Sequence, residues 1–326
     1  MLIIRSDRTD APFFHAAEEF LMENTQEPVF MLWRAKKSIL LGKNQNAWKQ
    51  VNLDYVKERE ILLVRRSSGG GTVFCDLGNI NFSFIENHGT EKLNNYRLFT
   101  KPILDVLNKM GIPAIFSGRN DLTIEGHKFS GNAQYRKKNR LLHHGTLLFS
   151  ADLKDLAGAL KTDPLKYKGR GIESAAKRVT NIASHLTKPM DVLAFRELIY
   201  THMLAKDPDS LIRDFTETEI LEIETIADNK YRDWDWTIGQ SPKYDFHREH
   251  RFTGGIVEID LSVEKGFVTD IVFHGDFLSR LDLSDIQLAM IGKRHDPDSL
   301  LSVLKAFPLE EYFYGITEDE LLSLMF

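Results

Sequence analysis

Residues 121–134 are DLTIEGHKFSGNAQ, two short runs of strand-forming residues on either side of a glycine-centred turn. The turn Glu125-Gly126-His127 allows the two runs to pair as an antiparallel hairpin. Another apolar run, LLHHGTLLF at 141–149, follows a polar gap and predicts a further strand. Strands that follow one another without an intervening helix favour an α+β fold with mixed or antiparallel sheets over a doubly wound parallel sheet.

The rest of the chain also lacks a strict β-α-β rhythm. Short apolar runs predict strands at 29–33, 38–41 and 61–64, and the alternating residues INFSFI predict a strand at 80–85 with Ile80, Phe82 and Phe84 on one face. Helical spacing predicts helices at 12–24, 97–110, 190–205 and 217–231, and capping-box pairs mark helix starts at 216/219, 284/287 and 317/320. A polar, proline-containing segment at 239–250 is typical of a linker. We therefore predict a large α+β domain over 1–245 and a small α/β domain over 246–326.

Composition excludes several classes of protein and site. The 326-residue chain has a formal net charge of −5, which argues against a generally basic surface that binds nucleic acid. Its one cysteine, Cys75, forms no intrachain disulfide and no zinc site built from thiolates. The N-terminus lacks signal-peptide order, and no apolar run reaches the roughly 18 residues of a membrane span. We predict a cytoplasmic protein with neither a nucleic-acid nor a membrane partner.

A glycine-rich stretch, RRSSGGGTVFCDLGN, occupies residues 65–79, directly after a predicted strand. Glycine allows backbone N–H groups to approach an anion closely, and Arg65 and Arg66 can add charge-assisted hydrogen bonds to a phosphate. A sharp turn beside two solvated arginines explains the same residues. The spacing matches neither a P-loop nor a dinucleotide fingerprint.

Polar residues further along the chain each allow two interpretations. Lys128 is either a surface lysine or a fixed cation that stabilises developing negative charge, and Asp121 either ends a turn or binds magnesium. His143 and His144 are adjacent on a strand, so one faces a pocket and the other packs or is solvated; this opposes a shared metal. The basic segment KYKGRGIESAAKR at 166–178 is either a solvated loop or a lid over a phosphate-bearing ligand.

Together these segments resemble the lipoate–protein ligase family. The stretch 65–79 fits the family pattern R-R-x-S-G-G-G-x-V-x-x-D-x-G-N. The other matching motifs follow in family order, namely GRND at 118–121, KFSGNA at 128–133, HHGTLL at 143–148, RGIES at 170–174 and RVTN at 178–181. The resemblance covers about residues 1–245, and the tail resembles the family's accessory domain.

The resemblance implies a fold, a reaction and partners. The fold is a catalytic domain similar to that of biotin and lipoate ligases, followed by a small C-terminal accessory domain. ATP, with Mg²⁺, activates lipoate to lipoyl-AMP. The lipoyl group then passes to one lysine of an apo lipoyl domain, either in the acyltransferase subunits of 2-oxo acid dehydrogenases or in the glycine-cleavage H protein. Such carriers are expected to be acidic, so the basic segment is expected to steer them.

The resemblance also assigns roles to residues. Lys128 is expected to contact both the phosphate and the acyl carbonyl and to carry the catalytic charge. Arg66, Gly71, Thr72, Val73 and Phe74 are expected to bind the adenylate, together with Lys128. His144 is expected in the lipoate pocket, and Asp121 is the magnesium candidate. The candidates for the adenylate lid are Lys168, Arg170 and Gly171.

Two positions depart from the family pattern, and two other functions remain open. Cys75 stands where many members have histidine, and Arg170 stands where lysine is common. The first alternative is an ATP-independent octanoyl or lipoyl transferase, which needs a nucleophilic thiol, yet no cysteine follows Cys75. The second is a non-catalytic protein that binds lipoate or a nucleotide.

Overall fold

A computed structural model of the chain describes residues 1–89, 91–160, 178–241 and 243–326, with only the backbone of Lys49 and Leu53 described. The chain forms two compact units. The first comprises Met1–Gln45 and Lys49–Asp233, and the second comprises Asn46–Trp48 and Trp234–Phe326. The boundary predicted between residues 245 and 246 stays a prediction.

The described strands of the first unit form two sheets. The strands are β1 (Leu2–Arg5), β2 (Val29–Trp33), β3 (Ser38–Leu41), β4 (Leu62–Arg65), β5 (Val73–Cys75), β6 (Asn79–Asn87), β7 (Ala114–Ser117), β8 (Asp121–Ile124), β9 (His127–Lys137), β10 (Arg140–Leu148) and β11 (Leu211–Arg213). Eight of them pair in the order β11-β1-β2-β6-β10-β9-β8-β7, and β4-β3-β5 form a smaller sheet.

The large sheet is mixed, as predicted. Strand β1 pairs in parallel with β2 and β11, whereas β2-β6, β6-β10, β10-β9, β9-β8 and β8-β7 are antiparallel. The predicted hairpin joins β8 to β9, and both Glu125 and Gly126 adopt positive φ, of 50° and 80°. Two successive positive φ values match the twist of a tight hairpin. The α+β fold class is confirmed.

Helices cover both faces of this sheet. The α-helices described up to residue 226 are α1 (Ala11–Asn24), α2 (Ala47–Gln50), α3 (Leu53–Glu58), α4 (Tyr96–Lys109), α5 (Leu153–Ala159), α6 (Val192–Lys206) and α7 (Glu217–Ile226). The predicted helices at 12–24, 97–110 and 190–205 are confirmed. The helix predicted over 217–231 is α-helical to Ile226 and continues as a wider turn to Tyr231, and its capping box of Thr216 and Glu219 is present.

Strand β6 explains how the sheet separates its core from its pocket. Ile80, Phe82 and Phe84 point into the main hydrophobic core, where they meet apolar side chains of α4 and α6. Asn81 and Ser83 point to the opposite face, where α1 packs against β6 and β10. The alternation of apolar and polar residues thus places polar side chains of a central strand in a buried site.

The second unit contains a three-stranded antiparallel sheet and short helices. Strands β12 (Tyr244–Phe252), β13 (Gly255–Glu264) and β14 (Phe267–Gly275) pair in that order. The described helices that follow are α8 (Ser284–Met290), α9 (Pro297–Leu304), α10 (Leu309–Tyr312) and α11 (Glu318–Leu324). Among the described residues, no helix is both long and apolar enough to cross a bilayer.

Two predictions for this unit are wrong. The linker predicted at 239–250 is wrong over 244–250, because 244–252 form β12, a strand in which many charged side chains are exposed. Ser284 is not a capping residue, because the cap position falls on Leu283 and the Asp282 carboxylate accepts the Ser284 N–H. The capping box of Thr317 and Glu320 is present as predicted.

Candidate active site

A central pocket in the first unit collects residues from distant parts of the sequence. Helix α1, strands β2, β3, β6, β9 and β10, and the glycine-rich turn all contribute side chains or backbone to its wall. Of the predicted site residues, it is lined by Arg66, Gly71, Thr72, Val73, Lys128 and His144. Phe74 and Asp121 instead line a second cavity, which shares part of its wall with the first.

The two arginines build the glycine-rich turn from inside. The buried Arg66 guanidinium donates to the carbonyl oxygens of Leu40 at 2.8 Å and of Gly69 and Gly71, both at 2.7 Å. Arg65, also buried, donates to three backbone carbonyls in residues 42–45. Burial lowers the pKa of Arg66 to about 10. Because this value is still well above neutral pH, the side chain stays charged. The guanidinium groups therefore hold the turn in shape and keep a positive charge beneath it.

The glycines in the turn and beside it serve different purposes. Gly70 has a φ of 92°, which favours glycine strongly over other residues. A Cβ on Gly42 would lie only 2.1 Å from the Gly70 carbonyl oxygen, so Gly42 permits a close backbone approach. Gly71 has neither restriction, because a Cβ there would meet no described atom within 4 Å. Gly71 therefore faces open space in the pocket wall.

A carboxylate and two histidines form one end of the pocket wall. Glu18 of α1 accepts hydrogen bonds from Nδ1 of His15 and of His144, both at 2.9 Å. It also accepts from Ser83 Oγ at 2.6 Å. Burial alone would raise the pKa of Glu18, but the two histidines hold it well below its usual range. Glu18 is thus a buried anion that fixes both imidazole rings.

The hydrogen-bond pattern assigns the protons on His144. Its Nδ1 donates to Glu18, which leaves Nε2 to accept from Ser68 Oγ at 2.6 Å. The Ser68 oxygen in turn accepts from Arg66 Nε at 3.0 Å. A continuous chain of hydrogen bonds therefore runs from Arg66 to Glu18 and locks the His144 ring in the wall of the pocket.

His15 has an atom that this network leaves unused. Its Nδ1 bonds Glu18, whereas its buried Nε2 has no hydrogen-bond partner among the described residues. Burial lowers the pKa of His15, which keeps the ring neutral. One ligand atom each of His15, Glu18 and His144 lies within 4.8 Å of the others, so the trio has metal-ligand spacing. Sequence reasoning missed His15 and Glu18, which are three residues apart on α1, because neither lies on the apolar face that the helical spacing predicts.

The neighbouring histidine confirms the expected alternation along β10. His143 points away from the pocket and stacks on Phe99 with 4.7 Å between ring centroids. Gln134 and Asn132 bond its two ring nitrogens. Burial holds the pKa of His143 well below 6.5. His143 therefore packs in the core, while His144 lines the pocket.

Lys128 lies where the central pocket and the second cavity meet. Its Nζ is 2.8 Å from Asp121 Oδ1, and both side chains are partly exposed. A Cβ on Gly131 would approach Lys128 Nζ to 3.1 Å, so the absence of a side chain there makes room for the lysine. The Lys128 backbone also bonds Arg178 and Thr180, which anchors the end of the basic segment to β9.

The second cavity extends from Lys128 toward α5. Besides Phe74 and Asp121, its wall includes Leu156 of α5 and Val179. It shares Thr72, Val73, Lys128, Gly131 and Thr146 with the central pocket. The lid candidates Lys168, Arg170 and Gly171 lie outside the described residues.

Comparison with known proteins identifies the family. Residues 10–204 match the family described as "Lipoyl protein ligase A/B catalytic domain", and residues 241–325 match "Bacterial lipoate protein ligase C-terminus". The chain belongs to the lipoate–protein ligase family. It is 37% identical to lipoate–protein ligase 1 of Staphylococcus aureus, over 99% of both chains, and 34% identical to lipoate–protein ligase LplJ of Bacillus subtilis, over 100% of both.

Solved structures with a similar fold include a lipoate complex and a lipoate protein ligase. LipL1 of Plasmodium falciparum, in complex with lipoate, aligns with a TM-score of 0.63 and 27% identity, over 99% of this chain and 98% of that one. The bi-partite lipoate protein ligase of Thermoplasma acidophilum, described with its E2 lipoyl domain, aligns with a TM-score of 0.64 and 26% identity, over 73% of this chain and 96% of that one.

The catalytic-domain family includes both the A and the B type of lipoyl protein ligase. The burial and the pKa of Cys75 therefore bear on whether this chain could use a cysteine thioester. The Cys75 side chain is fully buried, and burial raises the pKa of its thiol to about 12. Its Sγ is 3.4 Å from Asn81 Oδ1, and it lines neither of the two cavities. A neutral thiol without access to a ligand is a poor nucleophile. The only cysteine of this lipoate–protein ligase family member is therefore unsuited to a thioester mechanism.

Proposed function

We propose that this chain activates lipoate with ATP and then transfers the lipoyl group to a lysine of an apo lipoyl domain. In the first step, the lipoate carboxylate attacks the α-phosphorus of ATP and pyrophosphate leaves. In the second step, the lysine amine attacks the anhydride carbonyl, an amide bond forms, a proton is lost and AMP leaves. The full-length similarity to the two bacterial lipoate–protein ligases supports the reaction.

One observation of the structure supports the proposed mechanism in addition to the family membership. Three separated stretches, 65–79, 118–133 and 143–148, contribute residues to two adjoining cavities that meet at Lys128. A mixed anhydride needs such a shape, with one cavity for the acyl chain, another for the nucleotide and a cation at the junction. The LipL1 structure, which contains lipoate, supports the same choice of ligand.

The central pocket is the acyl site in this proposal. Trp33 and Leu40 offer apolar surface to a hydrocarbon chain and a dithiolane ring. His144, held by Glu18 and Ser68, forms a fixed wall that does not need to rearrange when the ligand binds. A preformed wall reduces the entropy that binding costs.

Lys128 supplies the catalytic charge. Its ammonium lies at the junction where the α-phosphate and the acyl carbonyl meet, and both carry more negative charge in their transition states. The Asp121 carboxylate positions this ammonium in the ligand-free chain. Oxygen ligands and a partly exposed position also suit magnesium, so Asp121 would hold Mg²⁺, which supplies charge neutralisation at the phosphates when bound.

The second cavity is the nucleotide site. The segment Thr72–Phe74 passes along the shared wall and offers its backbone to the adenylate. Arg66 acts from beneath the turn, where its charge favours a nearby phosphate while its N–H groups hold the loop. Lys168, Arg170 and Gly171 remain the candidates for a lid.

The remaining assignments follow from this reaction. The chain is proposed to act in the cytoplasm, with residues 1–245 as the catalytic domain and 246–326 as the accessory domain. Its partners are proposed to be apo lipoyl domains of acyltransferase subunits or the glycine-cleavage H protein. The E2 lipoyl domain described with the Thermoplasma ligase supports a carrier of that type.

The proposal is tested by lipoate-dependent exchange of pyrophosphate into ATP. We expect exchange with lipoate and Mg²⁺ present, and none when lipoate is omitted. A transferase or an inert binding protein would show no exchange. Lipoylation of an apo lipoyl domain without ATP would overturn the proposal in favour of a transferase.

A further inference from the structure

A groove opens from the central pocket on the side of the glycine-rich turn and has no role in the two steps so far. We call it the arginine groove, after Arg119 and Arg136 in its wall. It shares Gly70, Gly71, Asn120, Asn132 and Ala133 with the central pocket. It is thus a third arm of the site, distinct from the acyl pocket and from the cavity near α5.

The shared wall of the arginine groove is held firmly. The Asn120 side-chain amide donates to the Asn132 carbonyl at 2.5 Å, and Asn132 donates back to the Asn120 carbonyl through its side chain and its backbone N–H, each at 3.0 Å. These bonds tie the turn before β8 to β9. The opening between groove and pocket therefore has a fixed shape.

The charge of the arginine groove differs from that of the whole chain. Arg119 and Arg136 are exposed, and neither forms an ion pair with a carboxylate among the described residues. The Arg136 guanidinium lies 3.4 Å from a His88 ring nitrogen. No aspartate or glutamate belongs to the described groove wall. A chain with a net charge of −5 thus presents beside its active site two cations that pair with no carboxylate in the described part of the chain.

The groove also offers apolar contact surface. Leu93 is 36% exposed at its edge, and the partly buried Tyr96 ring lies at the start of α4. Tyrosine and arginine dominate the energetically important contacts of protein interfaces. A site that held only phosphate groups would not need an exposed leucine and an aromatic ring.

We propose that the arginine groove docks the carrier, and that the carrier presents an acidic protein surface beside its acceptor lysine. The inference rests on the proposed function. The acyl chain and the nucleotide occupy two arms of the site, so the amine needs a third approach to the carbonyl, and the groove reaches the pocket at Gly70 and Gly71. The two arginines attract the acidic surface of the carrier and orient it, although the negative net charge of the whole chain would repel that surface.

The experiment compares Arg119→Glu/Arg136→Glu with Lys188→Glu in the full chain. Lys188 is an exposed lysine before α6 that lines none of the three arms. Three rates are measured: lipoate-dependent pyrophosphate exchange, transfer from preformed lipoyl-AMP to the apo lipoyl domain of an acyltransferase subunit, and transfer from lipoyl-AMP to hydroxylamine. Hydroxylamine is too small to need docking.

We expect the double variant to lose transfer to the lipoyl domain by about tenfold or more, which equals roughly 1.4 kcal/mol in binding. Exchange and hydroxylamine transfer should stay within about twofold, and Lys188→Glu should resemble the unmodified chain. Rising salt should slow carrier transfer less in the double variant than in the unmodified chain.

Two results would overturn the docking proposal. Equal loss of exchange would show that the arginines bind the phosphates of ATP, and unchanged carrier transfer would show that the groove is not the docking surface. Binding of the apo lipoyl domain is measured separately by fluorescence anisotropy. Suppose instead that the chain binds the carrier through the two arginines and yet shows no pyrophosphate exchange. That result would contradict the proposed function but support the docking surface.

Discussion

Replacing Glu18 tests whether the buried anion holds the acyl pocket together. In Glu18→Ala, the Nδ1–H groups of His15 and His144 and the Ser83 hydroxyl all lose their acceptor inside the protein. A buried donor without a partner costs about 1–3 kcal/mol. Histidine can move its proton to the other ring nitrogen and serine can rotate, so for the three donors together we expect a total loss of about 3–5 kcal/mol rather than the full sum.

Glu18→Gln is the matched control, because it keeps the shape of the side chain. Its amide oxygen can accept from His144 and Ser83, while its NH₂ group donates to His15. His15 can accept that bond by moving its proton to Nε2, the atom that has no partner among the described residues. We therefore expect a loss of only about 1–2 kcal/mol.

Thermal unfolding measures both variants. For a unit of this size, 1 kcal/mol corresponds to roughly 2–4 °C, so Glu18→Ala should lower Tm by about 10 °C and Glu18→Gln by a few degrees. Lipoate binding, measured by calorimetry, should weaken in the same order because His144 loses its support. A Tm for Glu18→Ala within about 2 °C of the unmodified chain would refute this reasoning. An equal decrease in Tm in both variants would also refute it.

Three further outcomes follow from the geometry. Gly71→Ala should leave the free energy of unfolding unchanged or raise it by up to about 1 kcal/mol, yet slow pyrophosphate exchange. Gly70→Ala should lower the free energy of unfolding because Gly70 has a positive φ. Burial lowers the pKa of His143 in the folded chain, so below pH 6.5 the unfolded chain binds more protons than the folded chain. The free energy of unfolding therefore decreases as the pH is lowered below 6.5. His143→Gln should make that slope shallower in urea titrations, by up to about 1.4 kcal/mol per pH unit. Cys75→Ala should keep exchange activity, and the native thiol should resist alkylation, as its burial and raised pKa require.

Local sequence signals predicted most of the fold. The hairpin at 121–134 and the alternation along β6 depend on residues next to one another, and both are confirmed. Strand β12 was missed because its exposed side chains are mostly charged or histidine, so its composition matched that of a loop. A strand at the edge of a small sheet buries too little surface to leave an apolar pattern.

The site was harder to predict where roles depend on distant contacts. The sequence indicates a charge at Arg66, but its hydrogen bond to Leu40 depends on how β3 lies beside β4. Glu18 and His15 looked like polar positions of an amphipathic helix, since nothing nearby in the sequence shows that α1 packs against β10. The motifs therefore located the pocket, and the three-dimensional structure identified what stabilises it.

The most direct test of the central claim is single-turnover formation of lipoyl-AMP by Lys128→Ala, compared with Lys128→Arg. Lys128 is partly exposed, so both variants should fold with an unchanged Tm. We expect Lys128→Ala to bind lipoate but form adenylate at least about a hundredfold more slowly, as loss of one charge-stabilising group typically causes. Lys128→Arg should recover part of the rate. Adenylate formation at an unchanged rate in Lys128→Ala would contradict the account.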